Sequence, residues 1–179
     1  WDMQLMAAVV SKRDPVEAAA LVAKGAKIDH HVPDAAVRGA VTPYLALCVK
    51  AVASAAGVND AAETLAWCVA NGADVNRPLD AQKSTLLHYC VRQDQQEGLD
   101  RYLAQRNTVA PHLELCPRDA AGVTPMQLAI SSGKHDMARL LLRHGASHDL
   151  RESIDAHGCL AARCSATGDA ALLEALMLL

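Results

Sequence analysis

The side chains best suited to chemistry in this sequence are six Cys and eight His. A structural zinc site needs four such ligands converging on one point. Cys48, Cys68, Cys90, Cys116, Cys159 and Cys164 contain no C-x-x-C pair. His144 and His148 are four residues apart, but Gly145 between them breaks a helix, so they need not share a face. His112 with Cys116, and His157 with Cys159, read as loop residues. These are scattered singles, and no metal site is expected. Covalent catalysis has no better support, because there is no G-x-S-x-G nucleophile elbow. "SSGKHD" at 131–136 holds Gly133-Lys134, the end of a phosphate-binding loop. That loop needs a Gly five positions earlier and a Ser or Thr after the Lys, where Leu128 and His135 stand. The expectation is a non-enzyme without metal or cofactor.

Composition narrows the remaining classes. The chain is 51% hydrophobic but 3% aromatic, with no Phe, so its apolar mass is Ala, Leu and Val. Small side chains let helix backbones approach closely, whereas strands favour aromatic and β-branched residues. A net charge of −3 argues against nucleic acid as partner, since phosphate binding needs a basic footprint. No apolar run approaches a membrane span, which predicts a soluble protein with no membrane partner. Four of the six Cys fall within helical apolar patterns, where a free thiol behaves as a small hydrophobe. A cytoplasmic or other reducing intracellular compartment follows. The chain opens on Trp1 with no basic leader, and is expected to be part of something longer.

The elements that position these residues repeat. Gly-Ala follows an apolar helix in "AAALVAKGAKID" at 18–29, "LAWCVANGADVN" at 65–76 and "ARLLLRHGASHD" at 138–149. A Thr ahead of an apolar helix precedes or alternates with it, in "VTPYLALCV" at 41–49, "STLLHYCV" at 84–91 and "VTPMQLAI" at 123–130. Thr124 can cap a helix whose first residue is Pro125, where a missing N–H costs nothing. Gly133 lets the chain reverse between antiparallel helices, and Gly145 ends the second helix in a left-handed conformation.

This alternation resembles the ankyrin repeat, whose form is T-P-L-H-x-A-A-x-x-G-H and then V-V-x-L-L-L-x-x-G-A. Residues 119–149 match it best: Asp119, Gly122, Thr124-Pro125, Ala129, Gly133, Leu140-Leu141-Leu142 and Gly145-Ala146. The resemblance extends over nearly the whole chain and is weakest at 92–118. It implies a mainly α, right-handed ankyrin-repeat solenoid of stacked helix-turn-helix units with short turn or β-hairpin-like loops. Five units are expected in a single domain of 1–179, at about 1–30, 37–76, 80–108, 119–150 and 154–179. The first has no Thr-Pro start, but Asp14-Pro15-Val16-Glu17 gives its outer helix an N-cap, an N1 proline and an N3 acid. The third loses both glycines of the pattern. The repeat positions 4, 42, 85, 124 and 159 are all spaced more widely than the usual ~33 residues. About nine extra residues relative to that form lie between Val49 and Asp60, where the inner helix is expected to run on through "KAVASAAG" before Asp60 and Glu63 open the outer one. Others lie at 30–39 and 108–119.

In this register His88 takes the His of T-P-L-H, as a hydrogen-bonding framework residue. Asn76 matches a position that is β-hydroxylated in some ankyrin proteins, but reads here as a turn residue capping its own loop. What the resemblance implies is a non-catalytic protein–protein interaction module, a scaffold or adaptor, that holds a protein or peptide in its concave groove. The alternative is a regulatory or targeting domain of a larger enzyme or channel, contacting its own catalytic region. The exposed ends of the inner helices would be Ser11-Lys12, Val49-Lys50, Arg92-Gln93, Ser131-Ser132 and Ala166-Thr167. Lys12, Lys50 and Arg92 put a cation there in three consecutive units, and the turn tips add Arg38, Gln82 and Lys83. Such a groove suits an acidic segment. The Ala-rich stretch after Lys50 is a second candidate contact. Leu178 and Leu179 end the chain on an apolar edge, where terminal repeats carry a polar face. Further repeats, another domain or a second subunit are expected to pack there.

Overall fold

The computed structural model describes residues 1–35 and 37–146. Over them the chain runs α1 (Asp2–Ala7), continued by a π-helical turn Ala8–Lys12, then α2 (Pro15–Ala23), β1 (Val32–Asp34), β2 (Gly39–Val41), α3 (Pro43–Ala53), α4 (Gly57–Ala70), α5 (Leu86–Gln93), α6 (Gln96–Ala104), α7 (Arg106–Val109), α8 (Pro125–Ser131) and α9 (His135–Arg143). The expected fifth unit, with Cys159, Cys164, Leu178 and Leu179, lies outside the described residues. The fold is mainly helical, as expected, with the helices arranged in inner and outer pairs.

The inner helices start on caps. Thr42, Thr85 and Thr124 stand in extended backbone just ahead of α3, α5 and α8. Thr124 Oγ1 accepts from the N–H of Gln127 while Gln127 Oε1 accepts from the N–H of Thr124, a reciprocal box that satisfies two orphan donors. Asp14 caps α2 by accepting from the N–H groups of Val16 and Glu17 at 2.9 and 3.0 Å. The turn from inner to outer helix requires a left-handed residue. Gly133 supplies it at φ 70°, as expected, but Arg13 and Asp94 hold the same turn at φ 54° and 56°. The third unit therefore keeps the conformation after losing the glycine, and Asp tolerates it better than most residues.

The second unit differs from the expected course. Its inner helix stops at Ala53 and does not run on to Gly57; Ser54–Ala56 form a bend. The outer helix begins at Gly57, about one turn ahead of the expected Asp60. Ser54 Oγ accepts from the Gly57 N–H at 3.1 Å and starts it there. α3 has 11 residues against 7 in α8, and α4 has 14 against 9 in α9. The extra residues thus add about a turn to each helix. The insertion at 30–39 forms the β1–β2 hairpin, with Val32 opposite Val41 and Asp34 opposite Gly39. The one at 108–119 holds the end of α7 and a loop.

A single apolar cluster runs through the stack. It contains Leu5, Val9, Leu47, Leu65, Leu87, Leu99, Met137 and Leu141, all buried. Ala8, Ala46, Ala51, Ala61, Ala129 and Ala138 are buried between them, which is how a chain without Phe fills its core. α3 packs on α4, α5 and α6, α5 on α8, and α8 on α9, so each pair covers its neighbour's apolar face. Two tyrosines join this core through a polar link: Tyr44 Oη donates to the carbonyl of Val109 at 2.5 Å and lies 3.0 Å from Tyr102 Oη.

Candidate partner-binding groove

The site is built from three pieces: the β1–β2 hairpin, the loop 77–85 and helix α5. The loop folds on its own aspartate. Asp80 Oδ1 accepts from the Ser84 N–H at 2.8 Å, and the Leu79 N–H donates to the Ser84 carbonyl at 2.7 Å. This fixes Leu79 inward and leaves Gln82 and Lys83 exposed at the tip. Lys83 has φ 56°; two residues ahead of its own Thr cap, Gly122 takes the same place in the fourth unit at φ 78°. On the hairpin, Arg38 is also left-handed, at φ 52°. His31 Nδ1 donates to the Ala40 carbonyl, because its Nε2 accepts from Arg77 Nε at 3.3 Å.

Two adjoining hollows lie between these pieces. One, of about 400 Å³, is lined by Val37, Arg38, Leu79, Asp80, Ser84, Tyr89, Arg92 and Gln93. The other, of about 480 Å³, is lined by His31, Arg38, Gly39, Ala40 and Pro78 to Gln82. Arg38, Leu79 and Asp80 belong to both. Of the residues expected in the groove, Arg38, Gln82, Arg92 and Gln93 meet here, with Lys83 next in sequence to both Gln82 and Ser84.

The expected cations are not equivalent. Arg92 donates to Ser84 Oγ at 2.8 Å, and its guanidinium lies 3.7 Å from Asp80 Oδ2 and 4.0 Å from Asp119 Oδ2. It therefore ties the turn tips of the third and fourth units together. Lys12 is paired with Glu17 at 2.7 Å, and it lines a separate hollow at the N-terminal edge beside Trp1 and Lys24. Lys50 is exposed, but its neighbour Val49, expected to be exposed with it, is buried at 2% because α3 continues past it. Arg38, Lys50 and Lys83 make no side-chain hydrogen bond or ion pair with any described residue. Ser131 and Ser132 are exposed at the end of α8, away from both hollows.

Val37, Leu79 and Tyr89 were absent from the expected groove. Tyr89 could have been found: it precedes Arg92 by three positions, so the two share a helix face. Leu79 sits in "RPLD", and nothing in that turn-like stretch marks it as part of an apolar floor.

Two other residues take structural parts. His88 is fully buried in the framework, as expected. Its Nδ1 accepts from the Thr85 N–H at 3.2 Å, and its Nε2 donates to the Val123 carbonyl of the next unit at 2.9 Å. Burial holds its pKa below the usual histidine value. Asn76 does not cap its own loop as expected; there Asp74 Oδ1 accepts from the Asn76 N–H at 2.9 Å. Asn76 Nδ2 donates to the His112 carbonyl and its Oδ1 accepts from the Glu114 N–H, so it braces the second unit against the 108–119 insertion.

The thiols are equally structural. Cys48, Cys68 and Cys90 are buried in α3, α4 and α5; burial pushes the last two up to about 12 and Cys48 well above its ordinary value. A buried protonated thiol is a poor nucleophile and a poor metal ligand. Among the described residues there is no cluster of three or more His, Cys, Asp or Glu able to hold a metal ion. Among them, too, no helix is long and apolar enough to cross a membrane.

No curated protein sequence matches the chain. The family model for ankyrin repeats, in three copies, matches residues 50–152, which includes the 92–118 stretch where the repeat pattern is faintest. With capped inner helices, left-handed inter-helix turns and more than half of its residues under that match, the chain belongs to the ankyrin-repeat family.

Proposed function

We propose that this chain is a non-catalytic protein-binding module that holds a partner segment in the groove between its second and third units. Ankyrin repeats are in general protein–protein interaction modules, and function is grafted onto their variable surface positions. The observation that carries the reading is the pair of hollows sharing Arg38, Leu79 and Asp80, with Gln82, Arg92 and Gln93 on their walls. Polar groups around a small apolar floor are what a specific binding site requires.

Affinity capture tests this reading with the whole chain against a variant carrying Arg38→Glu and Lys83→Glu, at low and high salt. These cations make no side-chain hydrogen bond or ion pair with any described residue, so the variant is expected to keep its fold, unlike one altered at Arg92. A partner lost from the variant and weakened by salt places the contact on this face. A partner held equally by both forms moves it elsewhere.

A further inference from the structure

We infer that the occupant of this groove is an extended segment presenting a carboxylate side chain to Arg38 and an adjacent aliphatic side chain to the floor made by Val37, Leu79 and Tyr89. The inference rests on the groove reading above and adds the chemistry of the ligand.

The lining of the two hollows is complementary to an acid once its internal pairs are discounted; Asp34 of β1 stands near Tyr89 but outside both linings and is itself engaged. Asp80 is the one acid on the walls of both hollows, and it is engaged by the Ser84 N–H and by Arg92. Arg92 is in turn engaged by Asp80, Asp119 and Ser84. Arg38 and Lys83 are left over, both exposed and both without a side-chain partner among the described residues. A guanidinium offers a planar fork that takes a carboxylate through two parallel hydrogen bonds. Arg38 is the cation common to both hollows, so an acid bound there has room for the chain on either side of it.

The rest of the lining fixes the shape of the ligand. Leu79 is 4% exposed and forms a floor with half-buried Val37 and Tyr89. A half-buried tyrosine with its ring in a hollow is the kind of anchor that carries binding energy. In a chain with three Tyr and two Trp, it is a scarce one to have at a surface. Gln93 walls one hollow and Gln82 the other, and neither side-chain amide is bonded to a described residue. Amide side chains can pair with the main chain of an extended segment.

The test selects a displayed library of randomised ten-residue peptides against the whole chain, then measures the enriched peptides by fluorescence anisotropy. The expected result is enrichment of Asp or Glu next to Leu, Ile, Met or Val. Exchange of that acid for its amide should weaken binding about fivefold or more, Arg38→Gln should do the same, and Arg38→Lys should lose less. Double substitution should add little, because both changes remove one contact. Enriched peptides without an acid, still lost on Tyr89→Ala, overturn this inference and leave the groove reading standing. Peptides indifferent to Arg38→Gln and Tyr89→Ala alike overturn both. A library that yields no binder overturns the inference, and the capture experiment with the whole partner then decides the groove separately.

Discussion

Gly98 in α6 lies directly against the backbone of Val52 in the last turn of α3, leaving no room for a methyl group. That close approach seats the third unit on the extra turn of the second. Arg101, one turn on, donates to the Ala55 carbonyl at 3.2 Å and secures the same bend. Replacing a helical glycine by alanine normally gains about 1 kcal/mol in propensity. Here the obstacle is backbone on both sides, which cannot swing aside as a side chain would, and overpacking costs about 1–3 kcal/mol. Gly98→Ala should therefore lower stability, by up to about 2 kcal/mol net in urea unfolding. A rise in stability would show that the two helices do not press on one another.

The His88 links predict an acid sensitivity. Nδ1 accepts from Thr85 and Nε2 donates to Val123, so only the neutral ring satisfies both. Its folded pKa lies below the unfolded value of about 6.5, and the unfolded chain therefore binds the proton more readily. Stability from this residue is fully present above that unfolded value and falls as the pH drops below it, levelling off beneath the folded pKa. The fourth unit performs the same capping with Gln127, which does not titrate. The difference in stability between wild type and His88→Gln should thus shrink as pH falls from 7 towards 5. A difference that is constant over that range would overturn the assignment.

What could be read in advance is what local backbone geometry demands. Thr124-Pro125 and Asp14-Pro15 announce helix starts because a cap needs an oxygen and the first turn tolerates a missing N–H. Gly133 announces a reversal because few other residues take φ 70° cheaply. What could not be read depends on neighbours from other units. Asp94 and Arg13 keep the reversal without glycine because packed helix pairs on both sides impose it. Arg92 looked like a groove cation, and only the placement of Asp80 and Asp119 around it shows that it braces the turns. Tyr89 was legible from its spacing to Arg92, whereas Leu79 was hidden by a turn-like setting. The groove was legible as a face and illegible as a pocket.

The tyrosine link should be strongly asymmetric. Tyr44 bonds to both Val109 and Tyr102, whereas Tyr102 shares only Tyr44 and the Cys48 thiol, which lies against both hydroxyls. Tyr44→Phe strands the buried Val109 carbonyl and leaves the Tyr102 hydroxyl only the weakly bonding Cys48 thiol, at about 1–3 kcal/mol. Tyr102→Phe leaves the bond to Val109 intact and should cost less, and Tyr44→Phe with Tyr102→Phe should cost less than the two single changes summed. Unfolding of the four proteins in urea measures the cycle. Equal single effects that add would mean that Val109 is not the main acceptor.

The thiols should divide by burial. Cys48, Cys68 and Cys90 are buried and held protonated, while Cys116 is half-buried in the loop that Asn76 braces. At pH 8, iodoacetamide should modify Cys116 well ahead of those three in the native protein, and all four at similar rates in urea, as followed by peptide mass mapping. Asn76→Ala removes the two bonds that hold His112 and Glu114, so it should speed modification of Cys116 several-fold without exposing Cys90. Equal acceleration at Cys90 would mean instead that Asn76 supports the whole stack, and that the insertion does not open as a local unit.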